Sequence, residues 1–304
     1  MRKEHVMTTL SSDWVARFHR YKEKSAVLAA DATRSIEWHI GGGKRYFNRY
    51  FDELVSAHKW CFIVGCNNSG TSILQRVLEN TGQVSTLPME GQMYTRIFRR
   101  ARKRGHERVW SEYLDDLVVR RDASKERARR LLFDWMRDLQ LPIAPVIVEK
   151  TPANVARMRW IDSNFPTAHF IGLVRDGYAV CEGIKRKGRQ PIAHAAKHWA
   201  MVNEIMLEES CHVRNYLRVS YEDITDDPEQ VSTRIAEFLN LDKRKISESF
   251  RHKYQIHNMA DGRESAVVNY NSESIKRLSQ DEINLVEKIA AETLNKLGYA
   301  KPVR

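Results

Sequence analysis

Residues Trp60–Thr81, WCFIVGCNNSGTSILQRVLENT, are the stretch whose reading decides the fold. The apolar run Cys61-Phe62-Ile63-Val64 ends in Gly65 and crosses the small residues Cys66-Asn67-Asn68-Ser69-Gly70. It then enters Thr71-Ser72, with Ile73, Leu74, Val77 and Leu78 at helical spacing. That order predicts strand, glycine loop and helix. Such a loop turns successive backbone N–H groups toward one point before a helix N-terminus, where unpaired donors and the helix dipole both favour an anion. The predicted ligand is a phosphate or a group shaped like one.

Working outward, the chain alternates strands and helices. Val84–Leu87 is a short predicted strand leading to Pro88-Met89-Glu90-Gly91. The β-branched run Val146-Ile147-Val148 carries Lys150 at its C-terminal end, Ala168–Val174 ends in Arg175-Asp176-Gly177, and Tyr216–Val219 leads into Tyr221-Glu222-Asp223. Helices are predicted over 92–104, 109–120, 124–139, 154–164, 178–187, 191–211 and 228–239, and from Ser279 to a stop at Gly298. This pattern predicts an α/β fold, a parallel sheet covered on both faces, with ligands at the C-terminal strand ends. Residues 243–280 are polar without a clear period and read as mostly loop. Residues 1–59 read as a helical N-terminal extension packed on a core of residues 60–304. Its helices run from Ser12 or Asp13 to Ala30 and from Arg45 to Ala57, with Gly41-Gly42-Gly43 as the break.

Hydrophobic residues make up 42% of the 304 and charged residues 29%, a balance that predicts a folded globular protein. Lys and Arg number 50 against 39 Asp and Glu, and the resulting +11 suits anionic ligands. The charge is not accompanied by an aromatic-basic motif of RNA-binding type, so nucleic acid is not an expected partner. The basic run RRARKRGHER, residues 99–108, reads as a solvated face. Cys61, Cys66, Cys181 and Cys211 show no paired or metal-type spacing and read as reduced thiols. The opening MRKEHVMTTLSSDW has no apolar core of a signal peptide, and no run approaches the ~18 apolar residues of a span. A cytoplasmic protein without a membrane span is expected.

The loop has Walker A spacing, Gly65-x4-Gly70, but Thr71-Ser72 stands where a nucleoside-triphosphate P-loop carries Lys-Ser/Thr. That lysine holds the β and γ phosphates, so its absence argues against ATP γ-phosphoryl chemistry. A kinase-like phosphotransferase and a non-catalytic nucleotide-binding protein remain the alternatives. His194 and His198, one turn apart, read as a helix surface or packing pair rather than metal ligands.

The segment GCNNSGTSIL, residues 65–74, resembles the 5′-phosphosulfate loop of the sulfotransferases. FIGLVRDGYAVCEGIKRK, 170–187, resembles their 3′-phosphate segment. VEKTPANVARMRWIDSNFPTAHF, 148–170, resembles the Lys-x-Pro stretch of the tyrosylprotein and carbohydrate branches. RVSYEDITDDPEQVSTRIAEFLNLD, 218–242, resembles the family's Tyr-Glu-Asp-Leu and Asp-Pro pattern. The likeness runs in register over residues 60–241. It implies a P-loop-NTPase-like sheet and direct transfer of a sulfuryl group from 3′-phosphoadenosine 5′-phosphosulfate to an acceptor hydroxyl on a glycan, lipid, peptide or small metabolite, with no metal. By the same resemblance Asn68, Ser69, Gly70, Thr71 and Ser72 cradle the phosphosulfate. Arg175 takes the 3′-phosphate, with Gly183 and Tyr221 at the nucleotide, and Glu90 is the general base, with His106 as runner-up. Two positions depart from the pattern: Asn68 replaces a usual Lys or Arg, and Gly183 replaces a usual Ser. Lys150 is the candidate to supply the charge missing at Asn68, and Arg263, Lys276 or Arg277 to close on the nucleotide.

Overall fold

The computed structural model describes residues 32–100, 108–119, 125–139, 142–255 and 264–303. At its centre lies a five-stranded sheet of β1 (Lys59–Gly65), β2 (Val84–Thr86), β3 (Val146–Lys150), β4 (Ala168–Val174) and β5 (Tyr216–Ser220), in the order β2-β3-β1-β4-β5. Every neighbouring pair is parallel. The strand bearing the glycine loop is therefore central, and its register with β3 sets Ile63 beside Lys150.

The sheet is apolar on both faces, and β1 shows why. Trp60, Phe62 and Val64 enter one core and Cys61 and Ile63 the other, the period of two that a pleated strand imposes. The first core is completed by α1 (Gly43–Ser56), α3 (Lys125–Met136), α4 (Met158–Asn164), α5 (Gly177–Gly188), α6 (Ile192–Ser210) and the last helix, α11 (Gln280–Leu297). The second is closed by α2 (Thr71–Asn80), the short α7 (Tyr221–Asp226), α8 (Pro228–Leu239) and α9 (Lys243–Phe250). The predicted P-loop-like α/β architecture is the observed one. Ser279 and Glu282 form the predicted capping box at the start of α11, which stops at Gly298 in the left-handed region.

Upstream, residues 32–39 are helical, Gly42 turns at φ 82°, and α1 follows; the expected 12–30 helix lies outside the described residues. Trp38, Phe47, Phe51 and Val55 are buried in the first core.

Four expectations need correction. Residues 92–100 contain only a 3-10 turn at Gly91–Met93, because distant side chains take the carbonyls a helix would use: Arg34 donates to Tyr94 O and Arg157 to Arg99 O. In place of the expected 109–120 helix, residues 109–119 form a 3-10 turn at Trp110–Tyr113 and a single helical turn at Leu114–Leu117, after which Leu117 O accepts from Arg157 Nε at 2.9 Å. The 154–164 helix opens as a 3-10 segment, Pro152–Arg157, with the Asn154 amide bonded to Glu149. The described parts of 243–280 hold more regular structure than their polarity suggests: α9, an antiparallel pair at Tyr254–Gln255 and Glu264–Ser265, and the short α10 (Asn271–Ile275).

Candidate active site

The glycine loop joins β1 to α2 and delivers its backbone to the helix N-terminus through two left-handed residues, Asn68 at φ 66° and Gly70 at φ 97°. Gly70 is required twice over: its backbone is in the region L residues avoid, and a Cβ there would meet the Tyr221 ring at 2.9 Å. Ser69 is fully buried, Thr71 is 4% exposed, and Ser72 follows half-buried. The Asn68 Nδ2 and Ser69 Oγ atoms are buried without a hydrogen-bond partner in the protein. Two orphaned polar groups beside the open N–H groups of a helix start are costly unless an acceptor joins them. An anion accepting from both fits this site.

Arg175 leaves the end of β4 and lies over the loop. Its guanidinium donates through Nη1 to the Asn68 carbonyl at 2.9 Å and through Nε to Asn271 Oδ1 at 2.8 Å, and stacks 4.0 Å over the Tyr221 ring. Burial lowers its pKa, and the neighbouring Tyr221, Glu222 and Asp176 act the other way. Trp199 Nε1 donates to the Arg175 carbonyl at 3.1 Å and fixes the backbone that carries it. Both of these hydrogen bonds of the Arg175 guanidinium end on neutral oxygens. Asp176 is spent on capping α5 through Ala179 N, and Glu222 bonds Asp176 N, Asn271 and Tyr299.

At the other edge of the loop's mouth, β3 ends in Lys150, 3.1 Å from Glu90 Oε1, while Gln92 Nε2 donates to Glu90 Oε2 at 2.7 Å. The Lys150 side chain is 11% exposed and that of Glu90 30%, so the pair is sheltered yet reachable. Glu90 heads the 3-10 turn at Gly91–Met93, and Gly91 is clamped by Glu149 on its N–H and by Trp135 on its carbonyl.

The family model described as the sulfotransferase family matches residues 61–245, more than half of the chain. The chain belongs to the sulfotransferase family. It is a transferase, and the family carries out sulfuryl transfer. In fold it is similar to sulfotransferase STF9 from Mycobacterium avium, with a TM-score of 0.52 at 14% identity over 92% of this chain and 86% of that one. It also matches the sulfotransferase domain of the Synechococcus PCC 7002 olefin synthase (0.48, 20% identity, 80% of this chain and 95% of that one). A third match is mouse sulfotransferase SULT7A1 complexed with PAP (0.38, 16% identity, 80% and 88%). No curated protein matches. Among the described residues, no helix is long and apolar enough to cross a membrane.

In this sulfotransferase Gly183, on α5, packs against the Asn68 side chain, where a Cβ would come within 3.4 Å of Asn68 Cγ. The Tyr221 hydroxyl donates to Val268 O at 2.7 Å, so Tyr221 supports Arg175 and Gly70 with its ring and ties down the 264–271 segment with its tip. Lys150 is paired with Glu90 rather than with Asn68. His194 bonds Glu112 and the buried His198 bonds Ser111, so the two histidines point to different partners. His106 and Arg263 lie outside the described residues, and Arg277 faces Glu182 at 3.8 Å.

Sequence reasoning missed four residues here. Arg108 Nη1 donates to Asn68 Oδ1 at 2.9 Å and Trp110 Nε1 to Asn67 Oδ1 at 2.7 Å, so residues 108–110 overlie the loop. Asn271 orients Arg175, and Glu149 orients Gly91. Arg108 was concealed within a basic run that reads as solvated surface, and no local pattern singles out the other three.

Proposed function

We propose that this sulfotransferase moves the sulfuryl group of 3′-phosphoadenosine 5′-phosphosulfate directly to an acceptor hydroxyl, with Glu90 as general base. The observation that carries the reading is the pair of orphaned donors, Asn68 Nδ2 and Ser69 Oγ, at a helix start overlaid by Arg175. The donor molecule has two anionic ends, and this chain has a cradle for one and a guanidinium for the other. Thr71 and Ser72 extend the cradle into the first turn of α2, Gly183 leaves room beside it, and Tyr221 holds Arg175 in place.

In the proposed step the acceptor oxygen forms a new S–O bond as the bridging S–O bond breaks. The electron pair leaves on the 5′-phosphate of adenosine 3′,5′-bisphosphate, and the hydroxyl proton passes to Glu90. Lys150, 3.1 Å from Glu90, holds that carboxylate in place and has further N–H groups for the sulfuryl oxygens. The acceptor class stays broad: a hydroxyl on a glycan, lipid, peptide or small metabolite. A cytoplasmic setting, and a catalytic unit of residues 60–304 bearing 1–59 as a packed extension, belong to the same reading.

Calorimetry with adenosine 3′,5′-bisphosphate and transfer of labelled sulfate test it together. Arg175→Ala is expected to weaken the bisphosphate about ten- to a hundredfold, the worth of a charge-assisted hydrogen bond. Glu90→Gln is expected to lower kcat by about 10²- to 10⁴-fold with binding retained. Equal affinity in Arg175→Ala removes the second anion site, and an undiminished kcat in Glu90→Gln removes the base. A larger rise in melting temperature with ATP and Mg²⁺ than with the bisphosphate would favour a kinase-like enzyme instead.

A further inference from the structure

Residues 65–72 contain no Lys or Arg, so every group the loop itself offers an anion is neutral. A phosphosulfate that breaks into sulfuryl group and phosphate gathers negative charge on the leaving oxygen, and neutral donors stabilise such charge less than a guanidinium does. The loop side chain at its apex, Asn68, is held from two directions by guanidinium groups. Arg175 takes its backbone carbonyl, and Arg108, arriving from outside the sheet, takes its side-chain oxygen at 2.9 Å.

The path of Arg108 is built into α5. Gly188, in the last turn, is where the stem of Arg108 crosses the helix, and a Cβ there would meet Arg108 Cδ at 2.9 Å. One helical face along, Gly183 is where Asn68 lies against the same helix. Trp110, two residues on, donates to Asn67 at 2.7 Å and packs edge-on against the buried His198, ring centroids 5.0 Å apart, which anchors the segment to α6. Cations stand near Arg108: the Lys187 ammonium pKa is lowered, by desolvation first and then by Arg186, Arg108 and Arg175, with Glu182 acting the other way. Because Oδ1 of Asn68 is bound by Arg108, the Asn68 amide is oriented with Nδ2 turned the other way, as one of the two orphaned donors.

We infer that Arg108 is the cation of the phosphosulfate end of the site, standing beside Asn68 and orienting its amide toward the bound anion. This rests on the donor reading above. Arg175 then serves the 3′-phosphate end, Lys150 the acceptor side with Glu90, and Arg108 the bridging oxygen and the phosphate that departs with it.

The test needs no turnover. Calorimetry compares adenosine 3′,5′-bisphosphate with adenosine 3′-phosphate, and the ratio of their affinities isolates what the 5′-phosphate contributes. Wild type is expected to prefer the bisphosphate. In Arg108→Gln that preference is expected to shrink about tenfold while the 3′-phosphate binds as before, in Arg108→Lys to shrink less, and in Asn68→Lys/Arg108→Gln to return. Labelled-sulfate transfer should follow the same order, with kcat down about 100-fold in Arg108→Gln. An unchanged preference in Arg108→Gln overturns the assignment, and so does an equal loss for both ligands, which would mean a structural role only. If neither ligand binds wild type, the donor reading itself fails and this inference falls with it.

Discussion

Glu149 is 1% exposed and wholly enclosed, yet its carboxyl accepts from Thr151 Oγ1, from Asn154 Nδ2 at 2.7 Å and from Gly91 N at 2.7 Å. Arg157 stands one bond away, donating to Asn154 Oδ1 at 2.9 Å. Burial pushes the Glu149 pKa up to about 7; the bonds from Thr151 and Gly91 oppose the rise and the charge of Glu90 adds to it. Since the folded pKa lies above the unfolded value of 4.5, the linked stability is complete below pH 4.5 and is lost as pH rises through 7. The loss amounts to about 3 kcal/mol. Glu149→Gln cannot ionise, so the stability gap between wild type and variant should narrow by that amount from pH 4.5 to 8. Urea unfolding at both pH values checks it, and a gap independent of pH would show that Glu149 does not titrate in this range. The same pin holds the residue after Glu90, which makes Glu149 a positioning residue for the proposed base.

At the scale of the element, the stretch from Glu264 through α10 reaches the site through an amide rather than through a cation. Asn271 accepts from Arg175 Nε at 2.8 Å and donates to Glu222 Oε1 at 2.5 Å, bridging two groups that would otherwise pair directly. Tyr270 N donates to the Tyr221 hydroxyl at 3.2 Å and completes the attachment. Asn271→Ala leaves Arg175 free to turn to Glu222, and is expected to weaken adenosine 3′,5′-bisphosphate about three- to tenfold. Asn271→Asp, which places a carboxylate on Arg175, should weaken it further. Calorimetry on both variants decides, and wild-type affinity in each would mean that the bridge does not orient Arg175. The turn into α10 brings the neutral side chain of Asn271 to the Arg175 guanidinium. Elements with strong local signals were legible: Ala168–Val174 and Pro228–Leu239 have the extents expected from their apolar periods and the Pro at N1. Residues 92–100 and 109–119, between β2 and α3, were not, because their backbone groups are claimed by Arg34, Arg157 and Thr95 rather than by helix neighbours.

At the scale of the whole molecule, His198 is a buried imidazole between α6 and residues 108–111 whose protonation opposes folding. It is 1% solvent-accessible, bonds Ser111 Oγ at 2.8 Å, and burial alone pulls its pKa down to about 3. A folded pKa below the unfolded 6.5 means that the linked stability is present above pH 6.5 and lost as pH falls toward 3. Up to about 5 kcal/mol is at stake over that interval. His198→Gln should therefore lose less stability than wild type between pH 7 and pH 4, with bisphosphate binding at pH 7 retained to the extent that residues 108–111 keep their place. Equal losses in the two proteins would show that His198 does not set the acid limb.

The amino-acid sequence by itself determined the strand-loop-helix at Trp60–Thr81, the alternation that makes the sheet parallel, and the family, because each is a local pattern of apolar period, glycine and cap. It also made Glu90, Lys150 and Arg175 separate candidates, by their resemblance to the family's motifs, with Lys150 and Arg175 where strands end. Only the tertiary structure decided how they are paired. Lys150 goes to Glu90, Arg175 to the loop backbone over Tyr221, and Arg108 to Asn68, across 40 residues of chain separation. Charge on a side chain is visible in a sequence; the partner it meets depends on which helix has a glycine where the side chain must cross, and that is fixed only when the elements pack.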